Sequence, residues 1–276
     1  MKKVRVALYC LVGGLALAIP ALSAGHFGWY LLSGIVLAAS FVPLALFGPR
    51  HFLQQFGAVL PVLWIVSVFC TWTEALVFVP APEIQQHMIR NLVGGLVVFG
   101  IAAVVLAVLA VGLKLPAENG PAAQLRSVPV MVLMVLVCGV AYLVYYYVFG
   151  GITFFFFTKI YYPHAAQQAA TLGWWFPAIQ FGRGVLMTLA VLPVIYFLRV
   201  SRKQAAIAVG LLIWVAGGLS PLILPNPYMG ATQRFIHIIE IFTQNAALGI
   251  TAVLLLRSKQ RLRNANAHAE ATPGHA

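Results

Sequence analysis

Long apolar runs separated by short polar connections make up most of the chain, at roughly residues 4–24, 27–47, 56–79, 91–113, 128–149, 176–198, 204–225 and 232–256. Each approaches or exceeds the ~20 mostly apolar residues that a membrane-crossing helix needs at about 1.5 Å rise per residue. The runs are continuous in Leu, Val and Ala, without the short alternating segments of a membrane β-barrel. The pattern predicts an all-α, polytopic transmembrane helical bundle of eight spans, one domain over residues 1–256, followed by a basic and then disordered tail over 257–276. The first run, "MKKVRVALYCLVGGLALAIPALSAG", also has the basic start, apolar middle and small-residue end of a cleaved signal, which would leave seven spans. Its apolar run is long for a signal, which favours a retained helix.

The pattern breaks in the last run, within "RFIHIIEIFTQN". On a helical projection Arg234, His237, Glu240, Gln244 and Asn245 fall within an arc of about 140°, opposite Phe235, Ile238, Ile239, Phe242 and Ala246. Polar groups left unpaired in hydrocarbon cost several kcal/mol each, so this stripe must face protein or a wet cavity. Two other spans carry a charge: Glu74 in "CTWTEALVFVP" and Arg183 in "FPAIQFGRGVLMTLAVLP". Counting rise from the run ends places Glu74, Arg183, His237 and Glu240 all about 7–12 Å below the same boundary. An arginine at that depth requires a carboxylate, and Glu74 and Glu240 are the candidates. Gly182 and Gly184 flank it and should bring neighbouring backbones close. The predicted polar pocket therefore comprises Glu74, Arg183, His237, Glu240, Gln244 and Asn245, with Arg90, Arg234 and Lys159 at its rim.

Composition reinforces the class. Apolar residues form 62% of the chain and charged ones 8%, too apolar for a surface that must be wetted. The net charge of +12 lies in short connections rather than along a nucleic-acid-tracking face, so no nucleic-acid partner is expected. Lys2, Lys3, Arg5, Arg50, Lys114, Arg126, Arg199, Arg202, Lys203, Arg257, Lys259, Arg261 and Arg263 fall on one side; only Arg90, Lys159 and Arg234 fall on the other. That bias predicts a bacterial inner membrane protein with both termini cytoplasmic and the pocket in the outer leaflet. Cys10, Cys70 and Cys138 sit inside apolar runs as small hydrophobes, without disulfide or metal spacing.

The connection "GITFFFFTKIYYPHAAQQAATLGWW" reads as an aromatic interface belt, long enough to fold back as a capping helix with Lys159 and His164 above the pocket. His237 and Glu240, three residues apart, suit a carboxylate orienting an imidazole. With Glu74 they form a low-specificity alternative metal set; no cofactor is otherwise called for. The leading expectation is binding or transport of an anionic or amphipathic compound, with membrane lipids as the surrounding partners. A membrane-embedded enzyme acting on a lipid or lipid-linked substrate, and a structural subunit with a buried ion-pair network, are the alternatives. The segments "LPNPYMGATQRFIHIIEIFTQNAALG", "GPRHFLQQFG", "WTEALVFVP" and "QFGRGVLMTLAVLP" together resemble a group of uncharacterised bacterial multi-span membrane proteins. The resemblance implies recurrence of Glu74, Arg183, His237 and Glu240 and no particular activity.

Overall fold

The computed structural model describes residues 2–19, 25–78, 82–116, 123–162, 165–225 and 229–258. Its helices are α1 (Lys2–Ala18), α2 (Phe27–Phe47), α3 (Phe52–Phe78), α4 (Pro82–Gly112), α5 (Val128–Thr158), α6 (Ala165–Leu172), α7 (Trp175–Phe197), α8 (Arg202–Ile223) and α9 (Ala231–Leu256). Among the described residues, seven helices (α2 to α5 and α7 to α9) are long and apolar enough to cross a membrane. The chain is a multi-pass membrane protein by that measure. The remaining predicted span, α1, is described over 17 residues, about 26 Å of helix.

The small α1 still belongs to the bundle. Gly14 and Gly34 let its backbone meet that of α2: a Cβ added at Gly14 would lie 2.7 Å from the Ile35 nitrogen. Tyr9 and Ala18 are buried, and Leu106 of α4 covers Gly13. The same device joins α8 to α9, where a Cβ on Gly249 would sit 2.6 Å from the Gly210 Cα. Small residues at such crossings replace the missing hydrophobic drive between helices in lipid with close van der Waals packing. Ala103 and Ala107 of α4, singled out as packing residues in the sequence, are fully buried.

α7 is the axis of the fold. It packs against α3, α5, α8 and α9 and buries Gln180, Arg183, Met187, Thr188 and Val191. Three helices around it widen into π-helical turns: Val62–Cys70 of α3, Tyr146–Gly150 and Phe154–Thr158 of α5, and Val215–Leu219 of α8. In α3 the π stretch begins directly after Pro61, whose missing N–H interrupts the ordinary ladder.

Two sequence expectations need correction here. The fifth helix does not stop near residue 149 but runs 31 residues to Thr158, through Gly150 and Gly151. Part of the presumed loop is therefore helix, and α6 forms a further helical piece before α7. The arginine side chains at the basic end are also more than loop charges. Arg5 donates to the Leu113 carbonyl at 3.3 Å and Arg126 to that of Leu255 at 2.5 Å. Arg202 donates to Leu254, and buried Arg257 donates to Ile195 at 2.6 Å, Val200 at 3.0 Å and Leu198. They satisfy the orphan carbonyls at the C-terminal ends of α4, α9 and α7, where the helix dipole also favours cations. Arg257, expected to begin the basic tail, is instead a buried cap. The rest of that tail, 259–276, lies outside the described residues.

Candidate functional site

At the end of the bundle opposite those caps, α3 and α5 finish and α7 and α9 begin. Four residues of sequence spacing set the first group. Gln180 and Arg183 share one face of α7, three apart, and Tyr142 and Tyr146 share one face of α5, four apart. Arg183, 6% exposed, donates from Nη2 to Glu74 Oε2 at 2.7 Å and from Nη1 to Gln180 Oε1 at 2.7 Å. Its guanidinium lies 5.8 Å from the centre of the Tyr142 ring, within cation–π range. The Tyr146 hydroxyl donates to Glu74 Oε1 at 3.4 Å. Gly184 makes the approach of α5 feasible, since a Cβ there would lie 2.6 Å from that of Tyr142. Gly182, credited with the same role from sequence, has open space beside it.

The second group is built on α9. His237 Nδ1 lies 2.8 Å from Glu240 Oε2, Gln244 Nε2 donates to Glu240 Oε1 at 3.2 Å, and His237 Nε2 lies 3.3 Å from the Tyr162 hydroxyl. Burial pushes the Tyr162 phenol up to about 12, with the negative charges of Glu240 and Glu74 adding to it. A carboxylate only accepts, so Nδ1–H faces Glu240, and in the neutral imidazole Nε2 is then the acceptor for the Tyr162 hydroxyl, which keeps its proton at neutral pH. Gly150 lets α5 pass over this pair: a Cβ there would sit 3.2 Å from both Gln244 Nε2 and Glu240 Oε1.

The two groups thus flank one turn of α5, with Tyr146 on the first and Gly150 against the second. Among the described residues no hydrogen bond joins them. Nor is any set of three His, Cys, Asp or Glu side chains placed to hold a metal, so Glu74, His237 and Glu240 do not converge as a ligand triplet. Glu74 is drawn to Arg183, and His237 is turned toward Glu240 and Tyr162. Asn245 also leaves the pocket. It is buried toward α8, donating to the Ile213 carbonyl at 3.4 Å beside Gly217 of the π stretch. Of the rim residues, Arg90 and Lys159 are exposed and make no hydrogen bond to either group, while Arg234 turns back to the Met229 carbonyl at 3.1 Å. His164 lies outside the described residues.

On the same stretches of α3 and α7 a groove of about 390 Å³ is lined by Thr73, Leu76 and Val77 of α3, Gln168, Thr171 and Leu172 of α6, and Ile179 of α7, without a side chain of the first group. Its walls are mostly apolar. Thr73 and Ile179 are the direct sequence neighbours of Glu74 and Gln180. Two donors in this region are buried without a partner, Arg183 Nε and Gln180 Nε2. Gln180, Tyr142, Tyr146, Tyr162 and Gly150 were not singled out as site residues from sequence. Gln180 was recoverable from its three-residue offset to Arg183; the tyrosines were hidden in an aromatic run that equally marks a membrane interface.

No family model, no curated protein and no solved structure matches the chain, so the site's own geometry carries the functional argument.

Proposed function

We propose that the protein binds, and moves across or out of the bilayer, an anionic amphipathic compound. Its apolar part occupies the groove between α3, α6 and α7, and its head group reaches Arg183. The carrying observation is the incomplete satisfaction of the buried pair: Arg183 Nε and Gln180 Nε2 have no hydrogen-bond partner, on the helix whose Ile179, next to Gln180 in sequence, lines the apolar groove. Most buried donors in a packing network are paired, because each unpaired one costs about 1–3 kcal/mol, and here two unpaired donors sit three residues apart on one helix face. An incoming phosphate or carboxylate supplies acceptors for these donors and competes with Glu74 for the guanidinium. The released Glu74 and the His237–Glu240 pair then provide sites that exchange protons as the ligand passes. The cation bias along the chain favours a bacterial inner membrane with both termini cytoplasmic, which puts the groove in the outer leaflet.

Dodecyl phosphate and its uncharged analogue dodecanol separate head-group recognition from groove filling. In equilibrium binding to the purified chain, dodecyl phosphate should bind more tightly than dodecanol. Arg183→Gln should weaken the phosphate by roughly tenfold to a hundredfold, the value of a lost charge-assisted hydrogen bond, and leave dodecanol unchanged. Leu172→Trp, which fills the groove, should weaken both. Equal affinity of the two probes for the native protein, or an Arg183→Gln variant that binds dodecyl phosphate undiminished, refutes the reading.

The order Glu240–His237–Tyr162 favours a second reading, a membrane-embedded enzyme acting on a lipid or lipid-linked substrate. A carboxylate that fixes one imidazole nitrogen and a hydroxyl on the other is an acid–base arrangement. An enzyme would lose product formation in His237→Gln while keeping dodecyl phosphate binding.

A further inference from the structure

The end of the bundle away from the ligand site brings two arginines together. Arg126, just before α5, and Arg202, the first residue of α8, come from different parts of the chain to neighbouring carbonyls at the end of α9, those of Leu255 and Leu254. Capping uses only part of each guanidinium. Arg126 donates through Nε, which leaves its two Nη groups; Arg202 donates through Nη2, which leaves Nη1 and an Nε that is buried and unpartnered. The carboxylates whose side chains are described, Glu74 and Glu240, both lie at the far end of the bundle.

The surface leading to this point is apolar. Leu254 is 43% exposed, and Ile250, one turn earlier on α9, lies 3.2 Å from where a Cβ on Gly210 would sit. Ile207 and Leu211 of α8 are exposed on either side of Gly210. The α8–α9 seam is therefore a strip of exposed aliphatic side chains that ends at two guanidiniums. We propose that Arg126 and Arg202 clamp the phosphodiester of an anionic phospholipid whose acyl chain lies along Ile207, Leu211, Ile250 and Leu254. Two planar forks held at fixed carbonyls suit a phosphate's oxygens, whereas free phosphate would make no use of the strip. The clamp also ties lipid to the close of α9 and the start of α8, the two helices joined at Gly210 and Gly249.

Native mass spectrometry of the full chain, released from mixed phosphatidylglycerol and phosphatidylcholine nanodiscs of equal acyl length, tests this. The native protein should retain phosphatidylglycerol preferentially, and added inorganic phosphate should not displace it. Arg126→Gln/Arg202→Gln should cut retained phosphatidylglycerol about tenfold, a loss of about 1.4 kcal/mol. Lys3→Gln, which removes a charge from the same end without touching the clamp, should retain it as the native chain does. Should the double glutamine variant fail to fold for want of the α9 caps, Arg202→Lys is the substitute; it keeps the charge but not the fork, and should lose retained phosphatidylglycerol several-fold. Unchanged retention in the variant that folds, a loss of the same size in Lys3→Gln, or displacement by inorganic phosphate overturns the proposal.

Discussion

Glu74 and Arg183 illustrate what a charge in an apolar helix reveals at the residue scale. The cost of leaving either unpaired made their meeting readable from sequence, though they lie 109 residues apart. Which of two carboxylates would take the guanidinium was not readable, because both sit at one depth and only the rotation of α3 and α9 decides. The pairing has a measurable consequence. Glu74→Gln strands a buried guanidinium and should lower stability by about 3 kcal/mol, the low end for breaking a buried pair because the Glu74 side chain is 30% exposed. Glu74→Gln/Arg183→Met, which removes both charges, should recover much of that loss. Thermal unfolding in detergent reads this as a higher apparent Tm for the double variant than for the single one; a double variant that melts lower than Glu74→Gln contradicts the pairing. His237 and Glu240 were legible as neighbours from their spacing alone, whereas Tyr162, which completes their geometry, comes from a connection whose path no periodicity fixes.

Helices α8 and α9 show the same division at the scale of elements. Their existence follows from apolar length, but the crossing point follows from Gly210 and Gly249, two glycines among 24. Gly249→Leu would drive a side chain into the Gly210 backbone, which cannot yield, and should abolish the monodisperse folded protein on size-exclusion chromatography. Gly94→Ala meets nothing within 4 Å and should raise stability by up to about 1 kcal/mol through helix propensity. Equal behaviour of the two variants would show that α8 and α9 do not touch there. The extent of α5 was misjudged for a physical reason. Gly150, Gly151 and the following phenylalanines read as punctuation and interface residues, yet the helix continues through them by widening into π turns. Those turns bring Tyr146 and Gly150 against the two polar groups, so the irregularity that defeats a periodicity reading is also what shapes the site.

Across the whole molecule, charge is divided by function between the two ends. One end spends arginines on helix C-termini, with Arg5, Arg126, Arg202 and Arg257 each holding carbonyls of another segment. The tally of cations along the chain located that end but could not distinguish a solvated loop charge from a buried cap such as Arg257, since both follow an apolar run. The other end buries Arg183 against Glu74 and Gln180 and leaves its Nε without a hydrogen bond. An experimental structure determined with dodecyl phosphate tests that contrast most directly. The phosphate should lie within hydrogen-bond distance of Arg183 Nε, with the alkyl chain between Leu76, Leu172 and Ile179 and Glu74 moved off the guanidinium. A groove that stays empty at saturating dodecyl phosphate, with the Arg183–Glu74 bond intact, would contradict the account.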